Sequence, residues 1–183
     1  MRSLSAAAAL LLASALSAPA QRTVTEIVKS SGAQDDSKEN SDAVPDVYAI
    51  DAEIERVVVL RFKYKSDLLA GIEQSIKQHK IKNAVFLSAA GSLRGYHVHS
   101  VSNRDFPSKN VLVKDPTHPA DIINMSGFVI DGRAHPHITL ADEERAFGGH
   151  LEPGSEVFTF AVVTLGILGD DVDLSRIDDK THR

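Results

Sequence analysis

The chain has 183 residues, with 20 Lys+Arg against 25 Asp+Glu and a formal net charge of -5. Apolar residues at 43% and charged residues at 25% describe one folded domain of ordinary size, and the absence of Cys excludes disulfides, thiolate metal sites and cysteine nucleophiles. With no Trp, 5% aromatics and an acidic balance, the chain lacks the stacking platforms and positive field that nucleic-acid binding uses, whereas eight His direct attention to imidazole chemistry.

Residues 1–20 have the pattern of a signal peptide. Met1-Arg2-Ser3 is a short positive start, Leu4 through Leu16 contains only Ala, Leu and Ser, and Ala18-Pro19-Ala20 offers small residues to a signal peptidase. The apolar run is shorter than the roughly 18 residues that span a bilayer, and an Ala-rich leader or uncleaved anchor is the alternative. The expectation is an exported protein, periplasmic or extracellular, with no membrane segment after leader cleavage. Losing Arg2 leaves 19 basic and 25 acidic residues, a net charge of -6. Residues 21–46 are polar and aperiodic and read as a flexible linker, with a short helix over Val24 to Lys29 as the alternative. Residues 47–173 read as the domain and 174–183 as a C-terminal tail.

Arg56 to Phe62 is β-branched and apolar, a predicted first strand. Ser66 is placed to cap a helix from Asp67 to His79, in which Leu69, Ile72 and Ile76 make one buried stripe. Asn83 to Ala90 reads as a strand ended by Gly91. Gly95 to Val101 alternates, with Tyr96, Val98 and Ser100 on one face and His97 and His99 on the other. Ile122 to Ile130 reads as a central strand, followed by an Asp131-Gly132 turn. Ala134 to Leu140, Phe147 to Leu151 and Val157 to Leu168 complete the set. The pattern predicts a compact α/β (α+β) domain, a mostly antiparallel sheet with one main helix.

The chemistry concentrates between residues 135 and 151. His135-Pro136-His137 on a strand places both imidazoles on one face, because side chains alternate with a period of two. Gly148-Gly149-His150-Leu151 follows after a charged turn, so in a hairpin His150 faces the pair across the ladder. Three neutral imidazoles with an open fourth position would hold zinc or a similar divalent ion. The alternative is three unrelated, half-exposed strand histidines.

His135-Pro136-His137-Ile138-Thr139-Leu140-Ala141-Asp142 and Gly148-Gly149-His150-Leu151 resemble the signature of the plant and prokaryote conserved (PPC, or PCC) domain. Leu87-Ser88-Ala89-Ala90-Gly91-Ser92-Leu93 and Ile122-Ile123-Asn124-Met125-Ser126-Gly127 are similar to two further blocks of that family, in the same order. The match runs from about Val57 to about Gly169. It implies a compact fold, usually a homotrimer, with His135, His137 and His150 as metal ligands. A remoter fold-level resemblance is to acetolactate decarboxylase, which has a similar zinc arrangement. Plant members add AT-hooks and regulate transcription; this chain has no Arg-Gly-Arg-Pro hook. Asp121 stands where the family has Glu.

Arg94 and Asp121 are candidate catalytic residues, the first for an anionic substrate and the second as a base or a support for the metal. A solvated surface Arg and a salt-bridged carboxylate are the plainer readings. His97 and His99 offer a rival His-x-His pair, whereas His79, His118 and His182 carry no assigned role. Three functions follow: a metal-dependent lyase or hydrolase on a small oxygenated or carboxylated molecule, a non-catalytic ligand-binding or scaffold module, and DNA binding as described for some family members. Charge argues against the last.

Overall fold

The computed structural model describes residues 24–28, 41–103 and 108–177. The expected signal peptide and residues 178–183 lie outside them. The elements are β1 (Val24–Val28), β2 (Ile54–Phe62), α1 (Leu68–Gln78), β3 (Ala84–Val101), β4 (Asn110–Asp115), β5 (Ala120–Ile130), β6 (Arg133–Ala141), β7 (Ala146–Leu151) and β8 (Glu156–Leu168). Among the described residues every strand pairing is antiparallel. The mostly antiparallel sheet with one main helix is the predicted architecture.

β3 organises the sheet. Its first half lies between β5 and β8 and its second half between β4 and β7. Because β5 pairs β6, β6 pairs β7 and β7 returns to β3, the pairings close into a ring. The sequence expectation of two strands separated at Gly91 is corrected to one strand. Gly91 has φ +138, and a Cβ there would lie 2.2 Å from the Phe160 carbonyl oxygen. The glycine therefore serves a bulge, marked by register shifts on either side of Leu93, and does not end the strand.

Helix α1 begins one residue later than expected, with Asp67 as its N-cap in place of Ser66. The Asp67 carboxylate accepts from Ala70 N at 2.9 Å, satisfying one of the helix's unpaired amides. Leu68, Leu69, Ile72 and Ile76 are the buried stripe, packed into the core with Phe62, Leu93, Leu140 and Val163. Asp131 and Gly132, with φ 47 and 76, make the predicted tight turn between β5 and β6.

Two further segments differ from expectation. Val24–Val28, read within a linker or as a short helix, is a strand paired with β4, as suits its three β-branched aliphatic residues. β4 itself was not anticipated, because Val111-Leu112-Val113 is a short apolar run beside a polar loop. At the other end Leu174 is buried with Ile130 and Leu168, so packing reaches past the expected boundary at 173. No helix among the described residues is long and apolar enough to cross a membrane.

Candidate metal centre

The hairpin register brings the three expected ligands together. His137 stands directly opposite His150 on β7, and His150 in turn stands opposite His99 on β3. His137, His150 and His99 thus form a row across three strands, with His135 two residues along β6. The Nε2 atoms of His135 and His137 are 3.3 Å apart. The His150 ring lies edge-on to both, with centroids 4.8 Å from His135 and 5.5 Å from His137.

Glycines make the row this tight. A Cβ at Gly148 would lie 2.0 Å from the Ile138 carbonyl oxygen, and one at Gly149 2.2 Å from the His99 carbonyl oxygen. β7 fits between β6 and β3 because these two residues have no side chain. Gly127, with φ +119, likewise leaves room for the His135 carbonyl oxygen, 2.1 Å from where its Cβ would be. The backbone of the ligand-bearing strands is fixed by sheet pairing, not by a loop.

Two of the imidazoles, His137 and His150, are biased toward the neutral form. Partial burial pushes the His137 pKa below its usual value, and the neighbouring His135 and His99 rings push it further. His150 is lowered by the same causes, burial first and then His99 and His135, against an opposing pull from Glu152. Neutral imidazole is the ligating form. Two ligands to one tetrahedral metal, at bonds of about 2.0–2.1 Å, sit about 3.3 Å apart. The His135–His137 separation matches that spacing, so these two nitrogens fit a shared divalent ion, with the His150 ring beside them.

Two residues were underweighted by sequence reasoning. His99 stacks on His150 with centroids 4.7 Å apart. Glu152 hydrogen-bonds through Oε1 to Nδ1 of His99 and, at 3.2 Å, to Nδ1 of His150. Glu152 lies two residues after His150, so the period of a strand already placed it on the same face. His97, the other member of the rival pair, instead bonds through Nδ1 to the Pro153 carbonyl at 2.8 Å.

Arg94 and Asp121 are elsewhere. Arg94 pairs with Glu156 at 3.3 Å and lies over the Tyr64 ring. Asp121 is exposed opposite Ala141 and Ser92, five residues along β5 from the partner of His137, a distance of about 17 Å. Neither joins the histidine row within one chain. His118 lies 3.4 Å from Asp142 and 3.5 Å from Glu143. Beside the row, a groove of about 520 Å³ is lined by Phe86, Phe128, Ile130 and Ile177 together with His135 and His137.

The fold is similar to that of a metal-containing protein from Archaeoglobus fulgidus, with TM-score 0.59 and 22% identity, covering 74% of this chain and 95% of that one. It is also similar to a plant- and prokaryote-conserved protein from Pyrococcus horikoshii, with TM-score 0.56 and 19% identity over 74% and 94% of the two chains. A Bacteroides thetaiotaomicron protein described as a candidate for DNA binding matches at TM-score 0.53 and 12% identity, over 67% and 86%. Bifunctional protein GlmU of Synechococcus is 29% identical over 111 residues, 60% of this chain, and this chain spans only 17% of its length. The family model of the Plants and Prokaryotes Conserved (PCC) domain matches residues 50–169, which takes in α1, the whole ring of strands and all four clustered histidines, and the chain belongs to that family.

Proposed function

We propose that His135, His137 and His150 together bind one divalent metal, zinc by the nature of the donors, and that the protein is a metal-dependent lyase or hydrolase of a small oxygenated or carboxylated molecule. The observation that carries this reading is the 3.3 Å approach of the two Nε2 atoms with a third neutral ring beside them. The description of the Archaeoglobus neighbour as metal-containing supports it. A divalent ion at this position would polarise a carbonyl or activate water. His135 and His137 also line the apolar groove, so Phe86, Phe128 and Ile130 would receive the hydrocarbon part of a substrate whose oxygens face the imidazoles. Elemental analysis of the purified protein and of its His135→Ala, His137→Ala and His150→Ala variants tests the ligand set. The non-catalytic alternative, a ligand-binding or scaffold module, predicts the same metal without turnover.

Self-association, as a trimer, belongs to the same reading. The sides of β2 and β8 turned from the core leave Val57, Val59, Phe158 and Phe160 exposed, an apolar surface suited to another copy of the chain. Light scattering at micromolar concentration decides it. Export rests on residues 1–20 and is checked by N-terminal sequencing of secreted protein. The acidic net charge disfavours nucleic acid, while the description of the Bacteroides neighbour points the other way. A salt titration of DNA affinity separates the two, since phosphate contacts weaken steeply with salt.

A further inference from the structure

The connection after β7 is anchored on every side. The Glu152 amide donates to the His97 carbonyl at 2.9 Å, and the His97 amide donates to Ser155 Oγ at 3.0 Å. The Gly154 amide donates to Asp67 Oδ2 at 2.6 Å, tying the turn to the start of α1. Glu152 is therefore presented by fixed backbone, with its side chain 23% exposed beside His99 at 24% and His150 at 19%. Ligand atoms of His99, His150 and Glu152 all lie within 4.8 Å of one another.

We propose that these three residues form a second metal seat, a two-histidine, one-carboxylate set, sharing His150 with the three-imidazole seat. The inference rests on the reading of the histidine cluster as a metal centre. A neutral imidazole has one nitrogen with a free lone pair and one carrying hydrogen. The Nδ1 of His150 faces Glu152, so this seat uses Nδ1, which leaves Nε2 as the nitrogen on offer to the three-imidazole seat. The two seats therefore exclude each other, and the chain holds one metal at a time. Their donors select differently. Both sets accept zinc, but the carboxylate makes the second seat the better of the two for an ion that prefers oxygen ligands, such as Mn²⁺ or Fe²⁺. His99 and Glu152 thus set metal specificity.

The test uses the full chain and two metals alone. Mn²⁺ binding is followed by the electron paramagnetic resonance of the free ion, and Zn²⁺ binding by competition with a coloured chelator. Glu152→Gln and His99→Ala are expected to weaken Mn²⁺ about tenfold or more while Zn²⁺ affinity changes little, and His135→Ala to do the reverse. His150→Ala weakens both. Glu152→Gln retains an oxygen that accepts from Nδ1–H, so a merely positioning role for Glu152 would survive it. Wild-type Mn²⁺ affinity in both Glu152→Gln and His99→Ala overturns the proposal, as does a wild-type protein that binds Zn²⁺ and no Mn²⁺. Mn²⁺ binding that depends on Glu152, in a protein whose Zn²⁺ affinity ignores His135 and His137, instead overturns the three-imidazole seat and leaves this one standing.

Discussion

The two halves of β3 meet different neighbours and do different work. Ala84 to Leu93 runs between β5 and β8 and sends Ala84, Phe86, Ala89 and Leu93 into the core shared with α1. Tyr96 to Val101 runs between β4 and β7, still burying Tyr96 and Val98 on one side but carrying His97 and His99 on the other. One half buys stability through apolar area; the other presents polar side chains on a backbone that the first half and its neighbours hold still. Changes in the first half should therefore cost folding, and changes in the second should cost ligand binding.

The largest effect should come from Leu93→Ala or Ile72→Ala. Both side chains are fully buried, and truncation should remove about 2–5 kcal/mol, read from denaturant unfolding, while metal content per folded molecule stays as in wild type. Next is Gly149→Ala, whose methyl would meet the His99 carbonyl oxygen at 2.2 Å. It should cost about 1–3 kcal/mol and also lower metal affinity, because β7 must move away from β3 and take His150 with it. This variant joins the two kinds of effect, and normal metal binding in it would break the claim that strand spacing positions the ligands.

Asp67→Ala should be milder, about 1 kcal/mol for the lost cap, with a loosened turn at Gly154. A helix cap influencing the centre is a sharper form of the comparison, since it links the folding half to Glu152. Chelator competition at neutral pH checks it.

The smallest effect concerns pH. The folded pKa values of His137 and His150 lie below the ordinary 6.5. As pH falls below 6.5 the unfolded chain takes up protons first, so the metal-free protein loses stability through that window, and the loss levels off below the folded values. Above 6.5 these groups contribute no pH dependence. Metal affinity, which needs the neutral rings, should persist to lower pH than a free histidine would allow. Thermal melts of metal-free protein between pH 7 and 5 read the first effect. Rising stability on acidification would contradict the assignment.

Much of this was legible in the sequence. The period-two spacing of His135 and His137, and a charged turn of hairpin length before Gly148-Gly149-His150, already predict three rings on one surface. The alternation of Gly95 to Val101 placed His99 on a face opposite Tyr96, and Tyr96 is indeed buried. That β3 would lie beside β7 was not legible, because β7 returns to β3 through a ring of pairings whose closure no local pattern encodes. Glu152 was overlooked although the strand period aligned it with His150; what was not legible is its contact with His99, 53 residues away. β1 and β4 were missed because each is short, five and six residues, which is too little chain for a hydrophobic period to show. Arg94 and Asp121 drew attention by residue type, and type does not reveal which end of a strand a side chain occupies.

The central claim is that the second half of β3, β6 and β7 exist to hold a metal between imidazoles. Its most direct test is elemental analysis of the full chain after loading with zinc and removal of free ion, beside the His150→Ala variant checked for an unchanged melting curve. One bound metal per chain in the wild type and almost none in His150→Ala is the predicted result; equal metal in the two, or none in the wild type, would contradict the account.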